Sequence, residues 1–228
     1  MFSGAGVRAQ LRPGGRLGWL RGAVGGFFGI ALAALLAKPF AAMGALWIVA
    51  PLGASAVLVF AVPASPLAQP WSVVGGNLIS GAIGLACGHW LGLPWLAAGV
   101  AVGLAIAAMT LARCLHPPGG ACALMCAMGA QSNGWGLGFL AVPMALDMAL
   151  LVIAGLLYNN ATGHAWPHRP HPVPPLPAGT WAGTYDIADL DAVLAEWDEV
   201  LDVNRDDLDA LFRAVERRVL RRLEQRAR

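Results

Sequence analysis

Two places in this chain combine a helix break with groups that could bind an anion. One is the run His116-Pro117-Pro118-Gly119-Gly120, which lies inside a long apolar stretch. Two prolines and two glycines end a preceding helix, and proline suits the first position of the next one. A helix N-terminus presents N–H donors and about half a positive charge, which favours an anion. The candidate ligands are the ring of His116 and the amides of Gly119, Gly120 and Ala121.

A similar break begins at Pro51, where Gly53, Ala54 and Ser55 offer N-terminal amides and one hydroxyl. Two such N-termini that meet in the middle of a membrane could bind a small anion without a fixed buried cation. The alternative is that Pro51, Pro117 and Pro118 are helix-break residues that kink membrane helices and allow close packing.

Further polar side chains lie in the apolar part of the chain. Asn77 and Ser80 share a helix face and could line a polar path, or they could bond neighbouring helices. Asp147 is the only acid at this depth. Because an acid inside a membrane is energetically expensive, it is a candidate proton site. It could instead pair with Arg113 or His89, or be a local packing feature.

No residue pattern indicates catalysis. Cys122 and Cys126 lie one helical turn apart, and they are more typical of small buried side chains than of a metal site. No nucleophile stands beside a base, and no glycine-rich phosphate loop follows a strand-like run. We therefore expect no enzyme activity, no cofactor, no metal and no nucleic acid partner.

The elements that must position these residues are membrane helices. The chain has 228 residues, of which 57% are hydrophobic and only 12% charged, whereas a soluble domain carries about 25% charged residues. We predict an all-α polytopic transmembrane bundle with four full spans, two Pro/Gly-broken segments and up to six crossings. The apolar stretches lie at 17–37, 42–62, 72–92, 95–112, 115–130 and 137–158.

The two broken segments also indicate an internal repeat. Pro51 aligns with Pro117 and Gly53 with Gly119, and each break has an apolar span on either side. Three segments per unit would invert the second unit relative to the first, as in many secondary transporters. Chance alignment of small apolar residues is the alternative to a 3+3 inverted repeat.

Charge at the ends of the chain predicts the topology and the domains. The N-terminal arginines and the arginine-rich tail place both termini in the cytoplasm, most simply at a bacterial plasma membrane. We divide the chain into a basic N-terminus (1–15), a transmembrane domain (16–160), a Pro/His-rich connector (161–185) and an amphipathic helical tail (186–228). The tail has two helical patterns. The two helices could pair with each other, contact a second subunit of a homo-oligomer, or lie on anionic lipid.

Three sequence blocks carry a resemblance to a known family. The motif "HPPGGA" at 116–121, "LGASAVLVFAVPASPLAQPWSVVGGN" at 52–77 and "LYNN" at 157–160 resemble the HPP family of integral membrane proteins. The resemblance implies four membrane helices, and plant chloroplast and cyanobacterial relatives are linked to nitrite transport. Many bacterial members carry paired CBS domains after the membrane part, and residues 186–215 look like the linker that precedes them. A separate CBS-type or other cytoplasmic partner is therefore one expectation.

The function expected from these observations is a transporter or channel for a small inorganic anion, with nitrite as a candidate. The alternative is a non-transporting anchor or sensor subunit whose cytoplasmic tail works with a partner. Transport predicts polar groups that meet at the two breaks, whereas an anchor predicts a dry and fully packed membrane core.

Overall fold

The computed structural model describes residues 18–41, 48–169, 185–197 and 202–226, and these residues form helices and loops with no strand. The predicted N-terminal segment at 1–15 and most of the connector lie outside the described residues. The chain divides after His168 into two compact units, the membrane unit and the tail unit. The helices of the membrane unit are α1 (Gly18–Ala41), α2 (Pro51–Ala61), α3 (Pro70–Trp90), α4 (Pro94–Leu111), α5 (Pro117–Asn133) and α6 (Leu146–Ala161).

Four helical segments are long and apolar enough to cross a membrane, namely Gly18–Pro39, Pro70–Trp90, Pro94–Leu111 and Leu140–Ala161. The last of these joins a π-helical turn to α6. Helix α2 has 11 residues, which at about 1.5 Å per residue is well short of a membrane core of about 30 Å. Helix α5 has 17 residues. The prediction of an all-helical membrane bundle is confirmed.

Proline determines where four of these helices begin. Pro51, Pro70, Pro94 and Pro117 are the first residues of α2, α3, α4 and α5. The ring fixes a helical φ, and the missing N–H would have had no partner at that position. Helix α5 ends at Gly134, whose φ of +65° is the left-handed conformation typical of a helix C-terminus. Both predicted breaks are therefore starts of short helices.

The helices pack in an arrangement that matches two units of three. In each unit, α1–α2–α3 and α4–α5–α6, the first and last helices belong to the four segments that could cross a membrane, and the middle helix does not. Helix α1 packs on α2 and α6, and its counterpart α4 packs on α5 and α3. This exchange of partners supports a three-plus-three repeat. That the second unit is inverted stays a prediction.

The most extensive helix contact of the bundle is that of α3 with α5. Gly84 and Gly88 on α3 face the backbone of Ala123 and Ala127 on α5. Small residues four apart on both helices allow this approach, as is common in membrane proteins. This contact places the N-terminus of α5 against the middle of α3.

The tail unit contains α7 (Ile187–Trp197) and α8 (Arg205–Arg226), which lie within the predicted tail. Tyr185 stacks on Phe212 with ring centroids 5.6 Å apart. The guanidinium of Arg205 bonds the Asp191 carboxylate, and this bond holds the pKa of Asp191 below its ordinary value. The first of the alternatives for the tail, pairing of its own helices, is thus present.

Candidate functional site

The N-termini of the two short helices meet inside the membrane unit. Ser55, in the second turn of α2, and His116, directly before α5, are both fully buried. The distance between Ser55 Oγ and His116 Nε2 is 2.8 Å. The structure therefore joins the two breaks through side chains that are 61 residues apart in the chain.

The second ring nitrogen of His116 determines the direction of this bond. Nδ1 lies 2.7 Å from the carbonyl oxygen of Leu67. A carbonyl only accepts, so Nδ1 carries a hydrogen, and in the neutral ring Nε2 is therefore the acceptor. The hydroxyl of Ser55 consequently donates to Nε2.

Asn77 extends the hydrogen bonds from Ser55 toward α5. Its two Nδ2 hydrogens are shared among three acceptors: the Val73 carbonyl at 2.8 Å, Met148 Sδ at 3.0 Å and Ser55 Oγ at 3.2 Å. Its Oδ1 accepts from Cys122 Sγ at 3.1 Å. We call the chain from Cys122 through Asn77, Ser55 and His116 to the Leu67 carbonyl the buried relay.

Ser80 lies one turn beyond Asn77 on α3 and has a hydroxyl without a partner. The side chain is fully buried, and Oγ makes no hydrogen bond among the described residues. A Cβ built on Gly119 would lie 2.8 Å from Ser80 Oγ. The hydroxyl is therefore at the N-terminus of α5, beside the buried relay. An unpartnered polar group in such a place is uncommon and calls for a ligand or another explanation.

Two glycines allow the loop before α5 to reach α3. A Cβ on Gly76 would lie 2.6 Å from His116 Cβ and 2.7 Å from the Cys114 carbonyl oxygen. A Cβ on Gly119 would lie 2.8 Å from the Gly76 carbonyl oxygen. Gly76 was not singled out from the sequence, where it is one of many membrane glycines. Its role depends on a neighbour 40 residues away.

At each of the two breaks, one of the glycine amides predicted to bind the anion already has a backbone partner. Pro117 and Pro118 have no N–H, and the Gly119 amide donates to the His116 carbonyl at 2.8 Å. At the other break, the Gly53 amide donates to the Ala50 carbonyl at 3.2 Å. The side chains that meet at the breaks add hydroxyl, carboxamide and imidazole groups, and the amides of Gly120, Ala121 and Ala54 remain predicted ligands.

The remaining candidate ligands lie away from the buried relay. Gly53 and Ala54 are exposed on α2, and Gly53 lines an apolar groove between α1 and α2. On α5, Ala121 is exposed, and Gly120 is half-buried with no atom within 4 Å of a Cβ built on it. Of the predicted anion ligands, the structure brings together His116, Gly119 and Ser55, with Asn77 and Ser80 beside them.

Asp147 is fully buried near the start of α6 and contacts the segment before α2. Its Oδ2 accepts from the Val49 amide at 2.9 Å, while its Oδ1 has no partner among the described residues. His89, one of the partners considered for it, bonds the Leu85 carbonyl through Nδ1. Arg113, the other, is exposed. Asp147 thus ties α6 to the segment that precedes the break at Pro51.

Comparison with known proteins identifies the family. Residues 12–167 match the family model described as the HPP transmembrane region. The chain belongs to the HPP family. The match spans the whole membrane bundle, including both short helices and the buried relay. No solved structure matches this HPP protein.

Two relatives of this HPP protein are transmembrane proteins of Dictyostelium discoideum. One is 35% identical over 159 residues, which cover 68% of this chain and 50% of the relative. The other is 38% identical over 111 residues, which cover 47% of this chain and 39% of the relative. The HPP chain thus spans half or less of the length of these relatives.

The HPP region also contains a polar cluster at the C-terminal end of α2 that the sequence did not predict. Arg21 on α1 donates to the Phe60 carbonyl at 2.9 Å and to Asn159 Oδ1 at 3.0 Å. Asn159 Nδ2 donates to the Val59 carbonyl at 3.0 Å. These two side chains satisfy carbonyls that a helix end leaves without partners. The only sequence signals were Arg21 inside an apolar span and the "LYNN" block that contains Asn159.

Proposed function

We propose that this HPP protein transports a small inorganic anion across the membrane, and that the anion binds where α2 and α5 meet. The observation that carries the proposal is the buried, unpartnered hydroxyl of Ser80 beside the buried relay. A neutral pocket of hydrogen-bond donors suits a small ion that loses its water shell, since each lost water must be replaced by a donor.

Nitrite is the anion that we favour. It is small and singly charged, and its two oxygens can accept from two or three neighbouring donors. Ser80 supplies a hydroxyl without a partner, and Ser55 and Asn77 can donate to the anion once they exchange the partners that they have in the buried relay. The resemblance to HPP relatives that are linked to nitrite transport points to the same anion.

Transport by this site requires α2 and α5 to separate. The bond of 2.8 Å between Ser55 Oγ and His116 Nε2 closes the space between the two helices. We propose that the anion enters when this bond opens, and that the two three-helix units provide alternating access. Four crossing helices would leave both termini on one side, and we place that side in the bacterial cytoplasm.

Nitrite uptake into proteoliposomes of the purified protein tests the proposal. We expect Ser80→Ala to weaken nitrite binding about ten- to hundredfold, since a hydrogen bond to a charged group is worth about 1.5–3 kcal/mol. The same substitution removes a buried polar group without a partner, so the protein should be no less stable. Lower uptake with unchanged stability separates a ligand contact from a structural role.

Ser132→Ala is the matched control, because Ser132 is exposed on α5 and bonds only within its helix. It should leave uptake unchanged. If the original protein moves nitrite, nitrate and chloride no faster than protein-free liposomes, the transport proposal fails. If the Ser80→Ala variant takes up nitrite normally, Ser80 does not contact the anion and the proposed site is wrong.

A second candidate function is that of a membrane anchor or sensor subunit that works through its tail. Helix α8 exposes Leu211, Phe212 and Val215 beside several arginines. Exposed apolar and basic side chains of this kind are typical of a surface that contacts another protein. This function is favoured if no anion flux is measured, and a cytoplasmic partner or a second copy of the chain would then cover α8.

A further inference from the structure

The buried relay has a single direction, which the Leu67 carbonyl determines. Because this carbonyl holds a hydrogen of His116 on Nδ1, Ser55 must donate to Nε2 while the ring is neutral. Ser55 Oγ in turn accepts from Asn77, whose Oδ1 accepts from Cys122. From Cys122 to Ser55, each hydrogen of the relay thus points toward Nε2 of His116, while the Nδ1 hydrogen points away from the ring to the Leu67 carbonyl.

Protonation of His116 would reverse the bond between α2 and α5. With a hydrogen on Nε2, the ring can only donate, so Ser55 Oγ must accept from it. Ser55 can still accept from Asn77, since a hydroxyl oxygen has two lone pairs. The hydroxyl hydrogen of Ser55 is then released from the relay. One proton therefore creates a positive charge and a free donor close to the unpartnered hydroxyl of Ser80.

No acidic side chain is hydrogen-bonded to His116 in the described part of the bundle. Helices α2 and α4 and the short turn Pro66–Ala68 carry no titratable side chain. The titratable groups on the other packed elements are Cys87 and His89 at the end of α3, Arg113 and Cys114 before His116, Cys122 and Cys126 on α5, and Asp147 and Tyr158 on α6. Asp147 is bonded to the Val49 amide and has no hydrogen bond to the buried relay.

A buried imidazolium without a counter-ion is costly, and so is a buried anion without a cation. Each therefore stabilises the other, and binding of the proton and of the anion is mutually favourable. From this geometry we infer that His116 binds the proton that accompanies the anion, so that this protein is an electroneutral proton–anion symporter. The inference rests on the proposed transport function. The proton comes from water on one side, resides on Nε2 and leaves to water on the other side with the anion.

Proteoliposomes with separately imposed gradients test this inference, with nitrite as the probe. For one proton per nitrite, an inside-alkaline gradient of one pH unit should drive about tenfold accumulation. A potassium diffusion potential should change neither the rate nor the extent of uptake. A pH electrode in lightly buffered medium should record one proton taken up per nitrite. Protein-free liposomes correct for nitrous acid that crosses the lipid unaided.

His116→Gln keeps a polar side chain, but a carboxamide cannot take up a proton near neutral pH. We expect it to lose accumulation driven by the pH gradient, while any remaining flux follows the membrane potential. His89→Gln is the matched control, because His89 lies at the end of α3 and bonds only the Leu85 carbonyl. It should retain the response of the original protein.

The outcomes separate the two proposals. No nitrite flux through the original protein rejects the transport function itself. Flux that follows the membrane potential and takes up no proton rejects symport while transport stands, and this measurement on the original protein does not depend on whether a variant folds. If Asp147→Asn loses the pH response and His116→Gln keeps it, the proton site is Asp147 and the inference is overturned.

Discussion

Gly84→Ala should strongly destabilise the membrane unit, although the same change usually stabilises a helix. A Cβ at this position would lie 2.3 Å from the Ala123 carbonyl oxygen and 2.9 Å from Cys126 Cβ. The carbonyl belongs to the backbone of α5 and cannot rotate away, so α3 and α5 must move apart. Such overpacking costs about 1–3 kcal/mol and occasionally more. The free energy of unfolding, measured by denaturation in detergent micelles, should fall by that amount.

Gly103→Ala is the matched control for this prediction. Gly103 is also inside a membrane helix, and no atom lies within 4 Å of a Cβ built on it. Alanine should therefore be neutral there or raise stability by up to about 1 kcal/mol, the usual difference in helix propensity. Equal effects of the two substitutions would contradict the close approach of α3 to α5.

Valine at the two glycines of the "HPPGG" motif should have opposite consequences. A Cβ on Gly119 would lie 2.7 Å from Met109 Sδ and 2.8 Å from the Gly76 carbonyl oxygen, whereas one on Gly120 would have no neighbour within 4 Å. Gly119→Val should therefore remove most of the folded protein and nitrite uptake with it. Gly120→Val should leave both nearly unchanged. The measurements are the yield of monodisperse protein and the uptake per amount of folded protein.

This pair also separates two ways of binding an anion. The sequence makes the amides of both glycines candidate ligands, and if both amides face the ion, both valines should remove uptake. In the structure, the Gly119 amide donates to the His116 carbonyl. If Gly120→Val folds normally but loses uptake, the N-terminal amides of α5 do contact the anion, and our assignment of the contacts to side chains is incorrect.

The sequence alone determined where the helices lie and where the two short ones begin. Apolar length is a local property, and so is the effect of proline on φ and on the missing N–H. These two signals placed four long helices and the starts at Pro51 and Pro117 without any knowledge of neighbours. The "HPPGGA" motif likewise led to the family, since a motif is read along the chain.

Only the tertiary structure decided which groups at those starts have partners. The bond from His116 to the Leu67 carbonyl joins residues 49 apart, and that from the Val49 amide to Asp147 joins residues 98 apart. Whether Gly119 or Gly120 tolerates a side chain depends on which face of α5 meets α3. Hydrogen bonds and close contacts of this kind form between segments that are distant in the chain. Differences of a few tenths of an ångström decide whether each of them forms. No local pattern in the chain records such distances, so the buried relay and the unpartnered hydroxyl of Ser80 appear only when the helices are packed.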